Sequence, residues 1–447
     1  MTHTVTRRRF LKTAAAATTI TLLPSGLATT YAAANKVNVA FIGTGGVAKG
    51  NRSRFKQMAD DPVGGNNVVA LCDVDRDNLA IAAKDHPGAA AWADYRKMLT
   101  TQKDIEAVMV STPDHTHFPA SMLAMKLGLA VATEKPMAHS VWEARQMARA
   151  AAKFKVATQM DNEHHAKEGM RLVVEWIRAG AVGKVREVHV WTNRPIWPQA
   201  ITKRPPAEPA PKNLDWDLWI GAAPYRDYHK GLHRFAWRGW WDFGTGALGD
   251  MGCHIIDQPF WALKLGSPTS VEAKQEGNNA ETGPKWSVIT YQFPARGPDL
   301  PPVTMTWYDG EKLPPRPKEL EKDRKVPNQG VLFVGEKGTI LSTHPPSPRL
   351  IPEAKMKAFE RPKPFFPRSP GHRKEWLEAI RGGHPASSNF IDHAGGLTEV
   401  VLLGNVAIRA GVKLQWDAEN LKATNCPEAD KYIRRPYRKG WDFSLDA

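Results

Sequence analysis

The 447 residues are enough for two or three domains, and 42% hydrophobic with 24% charged residues is an ordinary globular composition, which excludes a disordered, collagen-like or coiled-coil chain. The formal net charge of +15 is spread along the chain without a long basic run, which argues against a nucleic-acid-binding protein. Three cysteines are too few for a disulfide scaffold, and beyond the N-terminus no apolar stretch reaches the ~18 residues of a membrane span.

The first 34 residues predict an export signal with a cleavage site near Ala34. Three arginines and a lysine within residues 6–12 precede an uncharged stretch that ends at Leu23, and small residues follow. The segment Thr-Arg-Arg-Arg-Phe-Leu-Lys is similar to the twin-arginine export signal. That similarity implies recognition by the twin-arginine translocase, export of a folded protein, and a periplasmic or otherwise exported location. An amphipathic N-terminal helix of the fold is the alternative.

Residues 35–160 alternate short apolar strands with helical segments. The predicted elements are, in chain order, strand Val37–Ile42, a helix ending near Met58, strand Val68–Cys72, strand Glu106–Ser111, helix Phe118–Leu127, strand Ala130–Thr133, helix Val141–Ala152 and strand Val156–Met160. Apolar strands separated by helices are typical of parallel sheets that are covered on both faces. We therefore expect a doubly wound parallel sheet in this part of the chain.

Residues 161–447 show longer, more alternating strand patterns with few helices between them. The predicted strands are Val185–Thr192, Thr269–Gln275, Ser287–Phe293, Val303–Trp307 and Val331–Thr343, and the predicted helices are His372–Arg381 and Leu397–Ala410. This pattern favours a second α/β domain with a large open, mostly antiparallel sheet. Because the free face of an open sheet usually packs on a partner, we expect a homo-oligomer, either a dimer or a tetramer.

A glycine-rich turn follows the first strand directly and opens the first helix. Its spacing, Gly43-x-Gly45-x-x-Ala48, is the dinucleotide fingerprint of a Rossmann domain. The residues predicted to face the pyrophosphate are Gly43, Thr44, Gly45, Gly46 and Val47. Asp73 ends the second strand, where a carboxylate binds both ribose hydroxyls and repels a 2′-phosphate. The predicted cofactor is therefore NAD, and Arg76 nearby leaves NADP open.

Three further segments occur in the order that one enzyme family shows. They are Ser111-Thr112-Pro113-Asp114-His115-Thr116-His117, Thr133-Glu134-Lys135-Pro136 and Gly249-Asp250-Met251-Gly252-Cys253-His254-Ile255-Ile256-Asp257. With these segments nearly the whole mature chain resembles the Gfo/Idh/MocA oxidoreductases, the family of glucose–fructose oxidoreductase and inositol dehydrogenase. The resemblance implies an N-terminal Rossmann domain that binds NAD(P) and a C-terminal α/β domain that carries the substrate.

The resemblance also implies roles for individual residues. The implied cofactor contacts are Thr112, Asp114, His117, Glu134, Lys135 and Asn162. Lys135 would reach the nicotinamide ribose and the reacting hydroxyl, and His254 would accept the hydroxyl proton while Asp250 orients it. Asp250 and His254 share a helix face if the helix begins near Asp250. Such a pair could also bind a metal, but no third ligand stands at a suitable spacing, so no metal is predicted; a core histidine is the other alternative.

Seven of the sixteen tryptophans lie between Trp191 and Trp241. Indoles pack against sugar rings and neighbouring Asn and Arg side chains bind ring hydroxyls, so this region predicts a carbohydrate site. A tryptophan-rich core beneath a proline-rich loop is the alternative. The predicted substrate contacts are His165, Trp191, Asn193, Arg194, Trp241, Asp250 and His254. Where relatives commonly carry Gly-Asn-Gln, this chain has Asp161-Asn162-Glu163-His164-His165, which adds titratable groups near the substrate.

Three functions are compatible with these features. The first is an exported NAD(P)-dependent dehydrogenase that acts on a hydroxyl of a sugar, polyol or sugar derivative. The second is an NAD-dependent glycosidase that oxidises a sugar hydroxyl transiently, eliminates the aglycone and reduces the product again. The third is a non-catalytic sugar-binding protein. The complete acid–base set favours an enzyme over the third function, whereas both enzymatic functions need the same residues.

Overall fold

The computed structural model describes residues 36–61 and 65–446. The predicted export signal, residues 1–34, lies outside the described residues. Within them, no helix combines the length and the apolar composition that crossing a membrane requires. The chain forms a six-stranded sheet followed by a nine-stranded sheet, and helices pack on both.

The six-stranded sheet is parallel throughout and has the strand order β3-β2-β1-β4-β5-β6. Its elements are β1 (Val37–Ile42), α1 (Val47–Gln57), β2 (Asn66–Cys72), α2 (Arg76–Asp85), β3 (Ala90–Trp92), α3 (Tyr95–Thr101), β4 (Ala107–Val110), α4 (Asp114–Lys126), β5 (Ala130–Thr133), α5 (Val141–Phe154) and β6 (Thr158–Met160). This order is that of a Rossmann domain, in which the strand order reverses between β1 and β4 and leaves a ligand crevice at that point. The predicted doubly wound sheet is confirmed.

The nine-stranded sheet has the order β13-β12-β11-β7-β10-β9-β8-β14-β15. Its elements, with the flanking helices, are α6 (Glu168–Arg178), β7 (Val185–Trp191), α7 (Trp216–Ile220), α8 (Gly246–Ile255), α9 (Asp257–Ala262), β8 (Ser270–Glu276), β9 (Trp286–Phe293), β10 (Val303–Tyr308), β11 (Gly330–Gly335), β12 (Gly338–Thr343), β13 (Pro348–Ile351), α10 (Glu353–Ala358), α11 (His372–Ile380), α12 (Gly395–Ala410), β14 (Leu414–Asp417), β15 (Lys422–Ala423) and α13 (Asp430–Ile433). Strands β7 and β10 pair in parallel and the other neighbours pair antiparallel, so the expected open, mostly antiparallel sheet is confirmed.

The prediction of a single strand over Val331–Thr343 is wrong, because this segment forms two antiparallel strands, β11 and β12, joined as a hairpin. Gly335 and Gly338 flank the two-residue turn and form its last pair. The charged turn residues Glu336 and Lys337, with a glycine on either side, interrupt the apolar pattern, and this break is the hairpin signal that the sequence analysis missed.

Helix α11 lies far along the chain but packs against the first sheet. Its Trp376 is fully buried, and its indole lies edge-on to the ring of Phe55 at 6.2 Å between centroids. Helix α12 runs through the interior between α5 and α8, with buried residues on all sides. These two helices fix the position of the second sheet relative to the first, so that both contribute side chains to one cleft.

Candidate active site

A cavity of about 450 Å³ opens beyond the carboxyl ends of β1, β2, β4 and β5, where α/β sheets bind their ligands. Both halves of the chain line it. From the first half come, among others, Gly43, Gly45, Gly46, Val47, Asp73, Thr112, Asp114, Glu134 and Lys135; from the second come Trp219, His233, Arg234, Phe235, Trp237, Arg238 and Asp250. Nine of the twelve predicted cofactor contacts therefore border one space, together with the predicted catalytic residues Lys135 and Asp250.

The glycine turn leaves room where a side chain would block the cavity. Gly43 has φ of +84°, and a Cβ atom there would lie 2.5 Å from the carbonyl oxygen of Ser111. A Cβ on Gly45 would lie 2.4 Å from Nδ2 of Asn78. The next residues open α1, whose first N–H groups point towards the turn and favour an anion. These residues fit the pyrophosphate of a dinucleotide.

The carboxylate of Asp73 is fixed beside this turn. Its Oδ2 accepts hydrogen bonds from the backbone N of Thr44 at 2.8 Å and from Thr44 Oγ1 at 2.9 Å, and its Oδ1 accepts one from the N of Asp75. Burial raises the pKa of Asp73, and these hydrogen bonds partly oppose that shift. Thr44 itself does not line the cavity; it orients the carboxylate that faces the ribose position.

Two predicted cofactor residues at the start of α4 support the cavity wall from behind. The ring of His117 is buried between two carbonyl oxygens, those of Pro136 at 2.7 Å and Thr112 at 2.9 Å. Asp114 accepts hydrogen bonds from the N and Oγ1 of Thr245, which joins α4 to the start of α8. Of the two, Asp114 borders the cavity and His117 does not.

Glu134 ends β5 and is almost completely buried. Burial, with the nearby carboxylate of Asp161 as the next cause, raises the pKa of Glu134 to about 8. Its Oε1 accepts a hydrogen bond from Nδ2 of Asn51 at 2.9 Å. The raised pKa favours the protonated carboxyl of Glu134, which can donate as well as accept a hydrogen bond.

Lys135 and Asp250 form an ion pair at the inner end of the cavity. Nζ of Lys135 donates to Oδ1 of Asp250 at 2.7 Å and to the backbone oxygen of Asp250 at 2.9 Å. Arg194 and Arg238 approach the same carboxylate at 3.8 and 3.6 Å. Burial opposes both charges, but Asp250 raises the pKa of Lys135, and Lys135 followed by Arg238 lowers the pKa of Asp250. The cavity thus ends in a charged ammonium held by a charged carboxylate.

His254 lies one turn after Asp250 on α8, which begins at Gly246 rather than near Asp250 as expected. Its ring does not line the cavity and packs against the rings of His164 and His344, with centroids 6.0 and 5.3 Å away. Burial, and secondarily the charge of Lys135, holds the pKa of His254 well below its usual range. His254 is thus a neutral imidazole beside the Lys135–Asp250 pair. His344 carried no signal in the sequence analysis.

Asn162 and His165 do not reach the cavity, because both are bound to the buried carboxylate of Asp257. Nδ2 of Asn162 donates to Oδ2 of Asp257 at 3.0 Å, and Nδ1 of His165 lies 3.0 Å from the same carboxylate. Nε2 of His393 lies 2.6 Å from Oδ1 of Asp257. This network ties the loop after β6 to α9, which is a supporting role that the spacing of single residues could not indicate.

The tryptophans divide between core and cavity differently from the prediction. Trp191 is 1% exposed and its Nε1 donates to the carbonyl of Pro327 at 2.6 Å, so it cannot contact a ligand. Trp241 is also buried and bound to Asn278 and Asn279. Asn193 is exposed and its Oδ1 accepts a hydrogen bond from Arg194. Trp219 and Trp237, from the same tryptophan-rich stretch, line the cavity instead.

The segment over residues 213–238 covers the side of the cavity beside Asp73. Its backbone is attached to the first sheet by hydrogen bonds from Arg76 N to Asn213 O at 2.9 Å and from Asp215 N to Val74 O at 2.9 Å. The guanidinium of Arg234 lies 2.9 Å from Oδ2 of Asp75. These contacts hold the segment against the first sheet beside the cavity.

Comparison with known proteins agrees with this architecture. Residues 37–162 match the model of an oxidoreductase family with an NAD-binding Rossmann fold, and residues 185–298 match the model of that family's C-terminal alpha/beta domain. The WlbA dehydrogenase of Bordetella pertussis, whose crystal structure contains NADH and UDP-GlcNAcA, superimposes with a TM-score of 0.60 at 18% identity over 86% of this chain and 99% of that one.

Two curated relatives are similar over part of their length. D-glucoside 3-dehydrogenase of Escherichia coli K12 is 24% identical over 260 residues, which are 57% of this chain and 63% of that protein. A glycosyl hydrolase family 109 protein of Shewanella sp. W3-18-1 is 27% identical over 209 residues, 41% of this chain and 45% of that one. The chain thus spans less than two thirds of either relative. Because the two family models together match more than half of its residues, the chain belongs to the Gfo/Idh/MocA oxidoreductases, and residues 37–162 form an NAD-binding Rossmann domain.

Proposed function

We propose that this protein is an exported oxidoreductase that transfers hydride between the nicotinamide of NAD and a carbon bearing a hydroxyl group in a sugar, polyol or sugar derivative. The observation that carries the proposal is the Lys135–Asp250 pair at the inner end of the cavity that begins at the glycine turn. When bound, NAD accepts or returns the hydride. A sugar dehydrogenase among the relatives supports the substrate class.

The residues around this pair suit a developing alkoxide. The Lys135 ammonium donates to the hydroxyl oxygen and stabilises the negative charge that grows there as the C–H bond breaks. Asp250 holds that ammonium in place, and Arg194 and Arg238 keep the carboxylate ionised. His254 as the group that takes the hydroxyl proton stays a prediction.

The test is to denature the purified protein and identify NAD(H) in the supernatant by mass spectrometry. Free sugars, polyols and glycosides are then supplied to the intact enzyme, and reduction of the nicotinamide is followed by its absorbance. We expect NAD(H) in the supernatant and reduction with at least one class of carbohydrate. Protein that neither carries nor binds NAD, or that binds NAD and sugar but catalyses neither nicotinamide reduction nor aglycone release, would leave only the sugar-binding function.

The covering segment, residues 213–238, favours a second candidate, the NAD-dependent glycosidase. Such an enzyme oxidises a hydroxyl, eliminates the aglycone and then returns the same hydride, so it works without exchanging its cofactor. The contacts of Asn213 and Arg234 with the first sheet would slow that exchange. A glycosyl hydrolase family 109 protein among the relatives also supports this candidate.

The two candidates differ in their need for external oxidant. With a chromogenic glycoside and no added NAD, a glycosidase releases the aglycone over many turnovers without net reduction of the nicotinamide. A dehydrogenase stops after one equivalent of reduced cofactor per chain and resumes when an electron acceptor or fresh NAD is added. Multiple turnovers in the absence of an acceptor would therefore decide for the glycosidase.

We expect NAD to bind at least ~10-fold more tightly than NADP, which corresponds to ~1.4 kcal/mol. The reason is that the fixed carboxylate of Asp73 repels a 2′-phosphate. Asp73→Asn keeps the size of the side chain and removes its charge, so it should bring the dissociation constants of NAD and NADP closer together. Titration of both cofactors by intrinsic tryptophan fluorescence measures it. Equal or tighter binding of NADP to the unmodified protein would show that Arg76 or Arg234 outweighs the carboxylate.

We further propose export through the twin-arginine pathway, supported by the segment over residues 6–12. The double variant Arg7→Lys/Arg8→Lys should remain uncleaved in the cytoplasm of a host with this pathway, as judged by fractionation and intact mass. Arg9→Lys changes a position that the signal pattern leaves free and is the matched control. Processing and export of the double variant like that of the control would contradict the assignment.

A further inference from the structure

Three histidines from distant segments meet beside the Lys135–Asp250 pair. His164 lies in the short turn after β6, His254 in the last turns of α8, and His344 directly after β12. One ring nitrogen from each of the three lies within 4.8 Å of the others. All three residues are half-buried.

The ring nitrogens of this cluster lack the partners that buried polar atoms normally have. Among the described residues, Nδ1 of His164, of His254 and of His344 has no hydrogen-bond partner, although each is shielded from solvent. Buried polar nitrogens without partners are costly, and three in one cluster point to a ligand that the protein chain does not supply.

A second group of similar composition shows the contrast. His165, Asp257 and His393 also bring potential ligand atoms within 4.8 Å. There, however, both oxygens of Asp257 accept hydrogen bonds, from His165, His393 and Asn162, so the carboxylate already has its partners within the chain, and only Nε2 of His165 lacks one among the described residues. It serves the first cluster by fixing the turn that carries His164.

The three histidines are held by rigid neighbours. The bond between His165 and Asp257 anchors the turn of His164 to α9, and Gln258 Nε2 donates to the carbonyl of Thr343, the residue before His344, at 3.1 Å. His254 and Asp257 lie on consecutive helices, α8 and α9. All three side chains are therefore positioned from one pair of helices, as preorganised metal ligands require.

We propose that His164, His254 and His344 bind one divalent first-row transition-metal ion of the zinc type. Three neutral imidazoles with a remaining open position are the ligand set of catalytic zinc sites. Tetrahedral bonds of ~2.0–2.1 Å need the three nitrogens at about 3.3 Å from one another, so ion binding requires the rings to turn towards a common centre.

The open coordination position takes a water molecule. In this arrangement His254 is a metal ligand and not the group that takes the hydroxyl proton, so metal binding replaces that predicted role; the bound ion lowers the pKa of the water molecule that it holds.

The test loads the purified full-length protein with Zn²⁺ or Co²⁺, removes free ion by gel filtration, and measures metal by mass spectrometry and NAD(H) in the same sample. We expect about one ion per chain and, with Co²⁺, the visible absorption of a nitrogen-ligated low-coordinate site. His164→Asn and His344→Asn should each weaken Zn²⁺ binding at least about 100-fold. His189→Asn removes a half-buried histidine that bonds to Tyr308 outside the cluster, and should bind like the unmodified chain.

Either of two results would overturn the proposal: an unmodified chain that retains no Zn²⁺ or Co²⁺ after gel filtration, or His164→Asn and His344→Asn variants that retain as much metal as the unmodified chain. His344→Gln provides a second substitution in case His344→Asn does not fold, as judged by circular dichroism. Since the metal readout needs neither cofactor nor sugar, loss of NAD(H) with metal retained would contradict the proposed function alone.

Discussion

Lys135→Met is expected to lower the turnover of the enzyme by about 10²–10⁴-fold while cofactor binding survives. The substitution removes the ammonium that donates to Asp250 at 2.7 Å and would face the reacting hydroxyl, but keeps an unbranched stem of similar length. In the variant, the carboxylate of Asp250 still has the guanidinium groups of Arg194 and Arg238 nearby. Its negative charge is therefore not left without a positive partner, and the protein should remain folded. Turnover with the best carbohydrate substrate, retained NAD(H) and the melting temperature are the measurements.

Lys126→Met is the matched control, because this lysine is exposed in the last turn of α4 and outside the cavity. It should leave turnover, retained NAD(H) and melting temperature unchanged. A Lys135→Met enzyme that folds, binds NAD and turns over within about threefold of the unmodified protein would rule out a role for the ammonium in the chemical step. A variant that loses NAD as well would show that Lys135 mainly binds the cofactor.

Much of the fold could be predicted because its buried strands are short apolar runs between clear turn residues. Val37–Ile42 and Ala130–Thr133 have the predicted bounds. Strand β3 could not be found, since it has only three residues, Ala90–Trp92, none of them buried. The sequence also could not predict that α11 packs on the first sheet, because this position depends on tertiary contacts such as that of Trp376 with Phe55.

The candidate site could be predicted where a local pattern determines the geometry. The glycine turn and Asp73 come from one β-α-β unit, and the family resemblance supplied Lys135 and Asp250. Which tryptophans reach the cavity depends on tertiary packing, so Trp191 and Trp219 could not be told apart by composition. The same holds for His344, which reaches His254 only because β12 ends beside α8.

Gly43→Ala is expected to weaken NAD binding at least about 100-fold, or ~2.7 kcal/mol. The added Cβ would lie 2.5 Å from the carbonyl oxygen and 2.8 Å from the carbonyl carbon of Ser111, atoms of the main chain just beyond β4 that cannot turn aside. In addition, the φ of +84° lies in the left-handed region, where a residue with a Cβ atom has a strained backbone. The turn must therefore shift, and the N–H groups that face the pyrophosphate shift with it.

Gly88→Ala is the matched control for this substitution, since that glycine lies exposed between α2 and β3 and an added Cβ would meet nothing within 4 Å. Calorimetric titration with NAD, after removal of any bound cofactor, compares the two variants with the unmodified protein, and thermal melting without cofactor separates lost binding from lost folding. Because the clash is local to the turn, Gly43→Ala should stay folded and fail to gain the cofactor-dependent rise in melting temperature. Normal NAD affinity in Gly43→Ala would mean that the phosphates lie elsewhere in the cavity.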